Sequence, residues 1–146
     1  MNRKRVLLDT NIIIYREANR VFNYSVGNLY SWIEKMGYIK IIHPLTIKEI
    51  EQYKDKDVQE IFKIKLDSYQ KLSSSEVVNE EFKIKINEHS ENEHDLIDNQ
   101  LLFNTYIGNV DFLITEDKKM LRKAERLGIR DRVLAIGEII VQHSSI

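Results

Sequence analysis

Short apolar runs of strand length alternate with longer stretches of helical period along most of this chain. Val6-Leu7-Leu8 closes a strand over about Arg5 to Leu8, and the run stops abruptly at Asp9. Asn11 to Ala18 predicts a helix, although Ile12-Ile13-Ile14 is rich in the β-branched residues that strands favour. Ser25 to Met36 sets Leu29, Trp32, Ile33 and Met36 on one helix face, with Gly37 as its stop. Ile39 to His43 predicts a second strand, closed by Pro44, the only proline. Thr46-Ile47-Lys48-Glu49 opens a further helix, and Ile50 and Tyr53 continue its apolar stripe. After Lys54-Asp55-Lys56-Asp57, another helix runs from Val58 to Leu72, with Ile61, Ile64, Leu66 and Tyr69 as its main apolar positions. The two make a charged helical hairpin that ends at Ser73-Ser74-Ser75.

Within Glu76 to Ser90, Phe82, Ile84 and Ile86 alternate with Lys83 and Lys85, which suggests a strand and leaves a helix as the alternative. Glu93 to Ile107 predicts a helix stopped by Gly108, and Asp111 to Thr115 a buried strand. Asp117 to Leu127 predicts a helix with Met120, Leu121, Ala124 and Leu127 inward and Gly128 as its stop. A last strand at Val133 to Ala135 and a closing helix at Gly137 to His143 complete the pattern. Strands alternating with helices predict one α/β domain over residues 1–146, a three-layer α/β/α sandwich around a mostly parallel sheet.

Composition narrows the function. The chain has 146 residues, 42% hydrophobic and 31% charged, which fits a folded domain with a real core. No apolar run approaches the roughly 18 residues that span a bilayer, so no membrane partner is expected. The basic opening Met1-Asn2-Arg3-Lys4-Arg5 leads into an apolar run cut short by Asp9, which argues against a signal peptide. The absence of cysteine excludes disulfides and thiolate metal sites and fits the cytoplasm. A net charge of −1, from 22 Lys and Arg against 23 Asp and Glu, provides no whole-molecule attraction for nucleic acid. Any such binding must come from local basic patches. There is no Gly-rich phosphate loop, no GxGxxG and no Ser/His/Asp elbow. His89 and His94 are five residues apart, off helical register for a metal pair, while His43 and His143 lie alone at element ends. Structural or solvated roles are expected for all four.

The acids hold the candidate chemistry. Asp9 and Asp117 each follow a strand, at the sheet edge where ligands bind in parallel α/β folds. Each also has an ordinary use there as a helix N-cap. Glu49 stands three residues after Thr46, the spacing of a capping box, or else points over the same edge as Asp9. Asp95 and Asp98 share a helix face at i, i+3, and either could supply a further acid. Acids near a helix N-terminus are also stabilised by its dipole, a role that suits Asp95 better than Asp98, which Ile97, Leu101 and Leu102 flank. Oxygen ligands without Cys or His suit Mg²⁺ or Mn²⁺.

Val6-Leu7-Leu8-Asp9-Thr10-Asn11 resembles the opening strand and first acid of the PIN-domain nuclease family. Asp98-Asn99-Gln100-Leu101-Leu102 resembles the helix that bears that family's third acid, and Phe112-Leu113-Ile114-Thr115-Glu116-Asp117 the strand and Thr-x-Asp that bear the fourth. Glu49 falls where the family keeps its second. The resemblance implies a PIN-like fold and a Mg²⁺- or Mn²⁺-dependent endoribonuclease that hydrolyses RNA phosphodiester bonds with metal-activated water. It implies a metal cluster of Asp9, Glu49, Asp98 and Asp117, with Asp95 as the competing or additional acid. Thr115 would hydrogen-bond within the cluster, and Asn11 would help orient Asp9 or the water. Many toxin-type members carry another acid two residues after the last Asp; Lys119 stands there in this chain. Partners by resemblance are single-stranded RNA, a second copy of the chain in a homodimer, and an antitoxin protein if the role is that of a toxin rather than a housekeeping enzyme.

Lys118, Lys119, Arg122 and Lys123 crowd the helix after Asp117 and are the expected substrate-phosphate contacts, against the plainer reading of a solvated face. Two other classes compete. One is a catalytically weak or inactive PIN-fold module that binds nucleic acid or protein, which the Lys119 departure favours. The other is a phosphoacceptor receiver domain, which also gathers acids at strand ends. Its lysine after a late strand is missing here, since Val133-Leu134-Ala135 is followed by Ile136-Gly137-Glu138.

Overall fold

A computed structural model describes residues 3–17, 24–52, 55–72, 78–86 and 93–139. Five parallel strands form one sheet in the order β3-β2-β1-β4-β5, with β1 at Arg5–Leu8, β2 at Ile39–Ile42, β3 at Gln70–Lys71, β4 at Phe112–Ile114 and β5 at Val133–Leu134. The chain lays β2 and β3 successively to one side of β1, then crosses to lay β4 and β5 on the other. The reversal of direction between β1 and β4 opens a crevice at the carboxyl ends of those two strands.

The helices are α1 (Thr10–Glu17), α2 (Tyr24–Lys35), α3 (Pro44–Glu51), α4 (Lys56–Lys65), α5 (Glu80–Ile86), α6 (Glu93–Tyr106) and α7 (Lys118–Leu127), and residues 136–139 are also helical. They cover both faces of the sheet, as the alternation of strands and helices predicts. Side chains alternate along a strand, so β1 feeds both cores. Val6 and Leu8 pack with Ile12, Leu29, Ile33, Ile50 and Phe62 from α1–α4. Leu7 packs on the other side with Phe82, Leu101, Phe103, Met120 and Ala124 from α5–α7. All of β1 beyond Arg5 is buried, which is why it reads as an unbroken apolar run rather than an alternating one.

Three expectations change. The segment with alternating Phe82, Ile84 and Ile86 is the helix α5, not a strand. Phe82 and Ile86 lie at i, i+4 on its buried face, while Ile84 is 75% exposed. Phe82 packs edge-on against Phe103, with ring centroids 5.2 Å apart, so a single aromatic anchor outweighs the period-two pattern. The second helix of the hairpin ends at Lys65, a 3-10 turn follows at Leu66–Ser68, and Gln70–Lys71 becomes the edge strand β3. Phe62 is its buried anchor, whereas Ile61 and Ile64 are exposed. The third change is that α3 begins at Pro44, not Thr46. Proline suits the first helical position, and the His43 ring caps the helix by accepting from the Leu45 amide through Nδ1 at 3.0 Å. Gly37, Gly108 and Gly128 sit at positive φ where the sequence placed helix stops. Ser73-Ser74-Ser75, His89 and His143 lie outside the described residues, as does the side chain of His94. Among the described residues, no helix is long and apolar enough to cross a membrane.

Candidate metal centre

The centre starts from β1. Asp9 follows its last residue, and its amide donates to the Ile114 carbonyl at 3.1 Å, which extends the β1–β4 pairing by one residue. The Thr115 amide donates in turn to the Leu134 carbonyl at 3.0 Å. Asp9 and Thr115 are therefore held side by side at the mouth of the crevice. Their side chains meet there: the Thr115 hydroxyl donates to Asp9 Oδ2 at 2.7 Å and accepts the Asp117 amide at 3.0 Å. The fully buried Thr115 thus ties the first acid to the last.

Asp117 performs the ordinary task expected of it as well. It is the N-cap of α7, with Oδ1 accepting from the amides of Lys119 at 2.8 Å and Met120 at 3.2 Å. Capping engages one carboxylate oxygen, Oδ1. Asp9 likewise precedes a helix, and its carbonyl accepts from the Ile12 and Ile13 amides. Both acids thus stand at positive helix ends, which favour a carboxylate.

Glu49 is not the partner of a capping box. With α3 starting at Pro44, Thr46 lies inside the first turn, where it is buried and its hydroxyl accepts from Thr10 at 3.1 Å. That bond fastens the first turn of α3 to the start of α1. Glu49, at i, i+3 from Thr46, shares the face turned toward α1 and Asp9.

Electrostatics connects the four. Burial pushes the Asp9 carboxyl up to about 6 against the hydrogen bonds from Thr115 and the Thr10 backbone, and the charges of Asp117 and Glu49 push it further. The half-buried Asp98 carboxyl is pushed up to about 7, first by burial, then by the charges of Asp9, Asp117 and Glu49, with Lys123 working the other way. Asp98 feels the other three acids of the expected set, and Asp9 feels Asp117 and Glu49. They are gathered at the range of charge repulsion rather than of ligand contact: among the described residues, no three Asp, Glu or His groups are close enough to hold an ion as placed. The donor chemistry nevertheless fits a hard divalent cation, with carboxylate oxygens and a hydroxyl and no imidazole among them. A desolvated aspartate surrounded by other acids gains from any cation that can reach it.

No family model, no curated protein and no solved structure matches the chain. The site therefore stands on its own geometry.

Asp95 belongs to a different arrangement. It is buried, and its Oδ1 accepts from Lys119 Nζ at 2.8 Å. One helical turn further along both helices, Lys123 Nζ donates to Asn99 Oδ1 at 3.0 Å. Two rungs with the same offset thus join α6 to α7. The four lysines and arginines expected to meet substrate divide accordingly. Lys118 and Arg122 are exposed, and Lys119 is half-exposed but engaged by Asp95. Lys123 is 3% exposed and buried between α6 and α7 rather than on the outer surface. Asn11 is exposed on the first turn of α1. Asn99 carried no role of its own in the sequence; the signal for it is the i, i+4 match of Asp95 and Asn99 with Lys119 and Lys123. His43, at the end of β2, takes the structural role expected of it: burial lowers its pKa to about 4, and its Nε2 is buried without a hydrogen-bond partner.

Thr115→Val keeps the shape of the side chain but removes the donor to Asp9 and the acceptor of the Asp117 amide. It is expected to lower stability by about 2 kcal/mol in urea unfolding. It should also raise the Asp9 pKa further, because the Thr115 bond is the largest effect holding it down.

Proposed function

We propose that this chain is a Mg²⁺- or Mn²⁺-dependent endoribonuclease of the PIN type, acting on single-stranded RNA in the cytoplasm. The observation that supports the proposal is that Asp98 is within charge range of Asp9, Asp117 and Glu49, and Asp9 within charge range of Asp117 and Glu49. The four come from separate segments, and Asp9 follows β1 beside the point where the strand order reverses. Asp9, Glu49, Asp98 and Asp117 would hold the ion. Bound there, the ion would lower the pKa of its water toward neutrality and offset the charge of the phosphodiester. Thr115 keeps Asp9 and Asp117 oriented through one hydroxyl. Lys118 and Arg122, exposed one turn apart on α7, would take backbone phosphates, a contact that reads charge rather than sequence. A homodimer and an antitoxin partner belong to the same proposal by resemblance alone.

Labelled single-stranded RNA incubated with the protein and Mn²⁺ should be cut, and a chelator should stop the cutting. Cleavage that persists in chelator removes the metal from the account. One observation favours a second reading, a binding module without turnover: Lys119 neutralises Asp95 at 2.8 Å on the flank of the site. RNA binding without metal, together with no cleavage of any RNA, would support that reading.

A further inference from the structure

Because the strands are parallel, their amino ends share one edge of the sheet, opposite the edge where Asp9, Thr115 and Asp117 stand. Three aromatic rings meet at this far edge. Trp32 stands near the end of α2, Tyr38 just before β2, and Phe112 at the start of β4. The Trp32 ring lies edge-on to Tyr38, with centroids 5.2 Å apart, and 6.4 Å from Phe112. The Tyr38 and Phe112 rings are 6.0 Å apart and only 32° from parallel. All three are half-buried, and Met36, one turn after Trp32, is 48% exposed. A cluster of rings left partly open to water, unlike a lone exposed side chain, marks a contact surface.

Its surroundings are basic. Lys4 Nζ lies 5.9 Å from the centre of the Phe112 ring, and the Lys4 carbonyl accepts from the Ile39 amide at 2.8 Å, next to Tyr38. Arg3 donates to the Gly37 carbonyl through Nε and to the Tyr38 carbonyl through Nη2 at 3.2 Å, so its charge is fixed beside the rings. Lys35 is exposed at the end of α2, and Arg5 follows in β1. Against these four cations stand Glu34 and Asp111, and Asp111 Oδ2 already accepts from the Arg5 amide at 2.7 Å. In a chain of net charge −1, this edge is positive. Half-open rings interleaved with cations suit a single-stranded polynucleotide, whose phosphates meet the cations while unpaired bases stack on the rings. A polypeptide partner would use the rings but not the excess of cations, and a duplex keeps its bases stacked on one another.

We propose that this edge, around Trp32, Tyr38 and Phe112 with Arg3, Lys4 and Lys35, is a docking surface for single-stranded RNA, separate from the acidic crevice. The choice of RNA rests on the proposed function; the surface itself depends on neither the acids nor a metal.

Trp32 is the only tryptophan in the chain, so its emission reports on this edge. The full protein is titrated with oligouridylate in the presence of chelator, which removes metal-dependent cleavage. Emission should fall to a plateau, with an affinity that weakens as salt rises. Tyr38→Ala should weaken binding at least about fivefold, the low end for loss of one stacked base. Lys4→Gln together with Lys35→Gln removes two exposed charges and leaves the packing intact, so it keeps the test decisive if Tyr38→Ala does not fold. It should weaken binding and flatten the slope of log affinity against log salt by about 1.4, for two phosphate contacts on a single strand. Emission unmoved by oligouridylate overturns the proposal. So does equal quenching by polyphosphate, which has no bases. So does an affinity unchanged by the two lysine substitutions but lost in Lys118→Gln with Arg122→Gln, which would put the strand on α7. Cleavage in Mn²⁺ is read separately: its absence overturns the proposed function, while quenching still decides this surface.

Discussion

Asp9→Asn should reduce Mn²⁺-dependent cleavage of RNA by at least about 10³-fold, roughly 4 kcal/mol in the barrier. The substitution removes the charge of the most buried acid in the cluster and leaves its surroundings in place. An asparagine at this position can still accept from the Thr115 hydroxyl, which lies 2.7 Å from the present Oδ2. The β1–β4 pairing through its backbone amide is untouched. The fold should therefore persist, with an unchanged circular dichroism spectrum beside the lost activity. Cleavage at the original rate in Asp9→Asn would mean that the chemistry lies elsewhere.

Asp98→Asn should do two opposite things: abolish or severely weaken divalent-ion binding, and stabilise the metal-free protein. The Asp98 carboxyl is raised from its ordinary 3.8 to about 7, and that of Asp9 to about 6, so the folded chain binds more protons than the unfolded chain between those values. Metal-free stability then falls as pH rises through this window. The His43 pKa, lowered to about 4, works in the other direction, but mainly between about 4 and its ordinary 6.5. Between pH 6.5 and 8 the acids outweigh the remaining tail of the His43 effect. Melting of metal-free protein should occur at higher temperature at pH 6.5 than at pH 8, and Asp98→Asn should flatten that slope. With a discount for the exposure of Asp98, the gain at pH 8 is about 1–2 kcal/mol, or a few degrees. Mn²⁺ should reverse the trend in the unsubstituted protein, because it binds the charged forms. A metal-free stability that rises steadily from pH 6.5 to 8 would contradict the account.

The sandwich was legible because its signals are local and redundant. Val6-Leu7-Leu8 reads as a strand and is one, buried on both faces, and Gly37, Gly108 and Gly128 read as stops and sit at positive φ. Where the sequence misled, a single long-range contact decided the outcome. Phe82 is drawn onto Phe103 and takes its segment into a helix. Gln70–Lys71, exposed and polar, becomes a strand only because the edge of β2 is there to pair with it. The acids were legible as candidates, but their uses were not. The capping-box reading of Glu49 fell because α3 starts at Pro44 with the ring of His43 as its cap. The use of Asp95 depends on Lys119, whose ammonium engages it across two helices. Lys123 looked like one more cation on a basic helix. Its burial follows from the α6–α7 packing, which no local pattern reveals.

Diffraction from crystals soaked in Mn²⁺, recorded for its anomalous signal, tests the central claim most directly. The account predicts a peak in the crevice between β1 and β4, with carboxylate oxygens of Asp9, Asp98 and Asp117 or Glu49 drawn in to about 2.1 Å, the distance such ions take to oxygen. A cluster that stays empty at saturating Mn²⁺, or a peak held by Asp95 without Asp9, would contradict it.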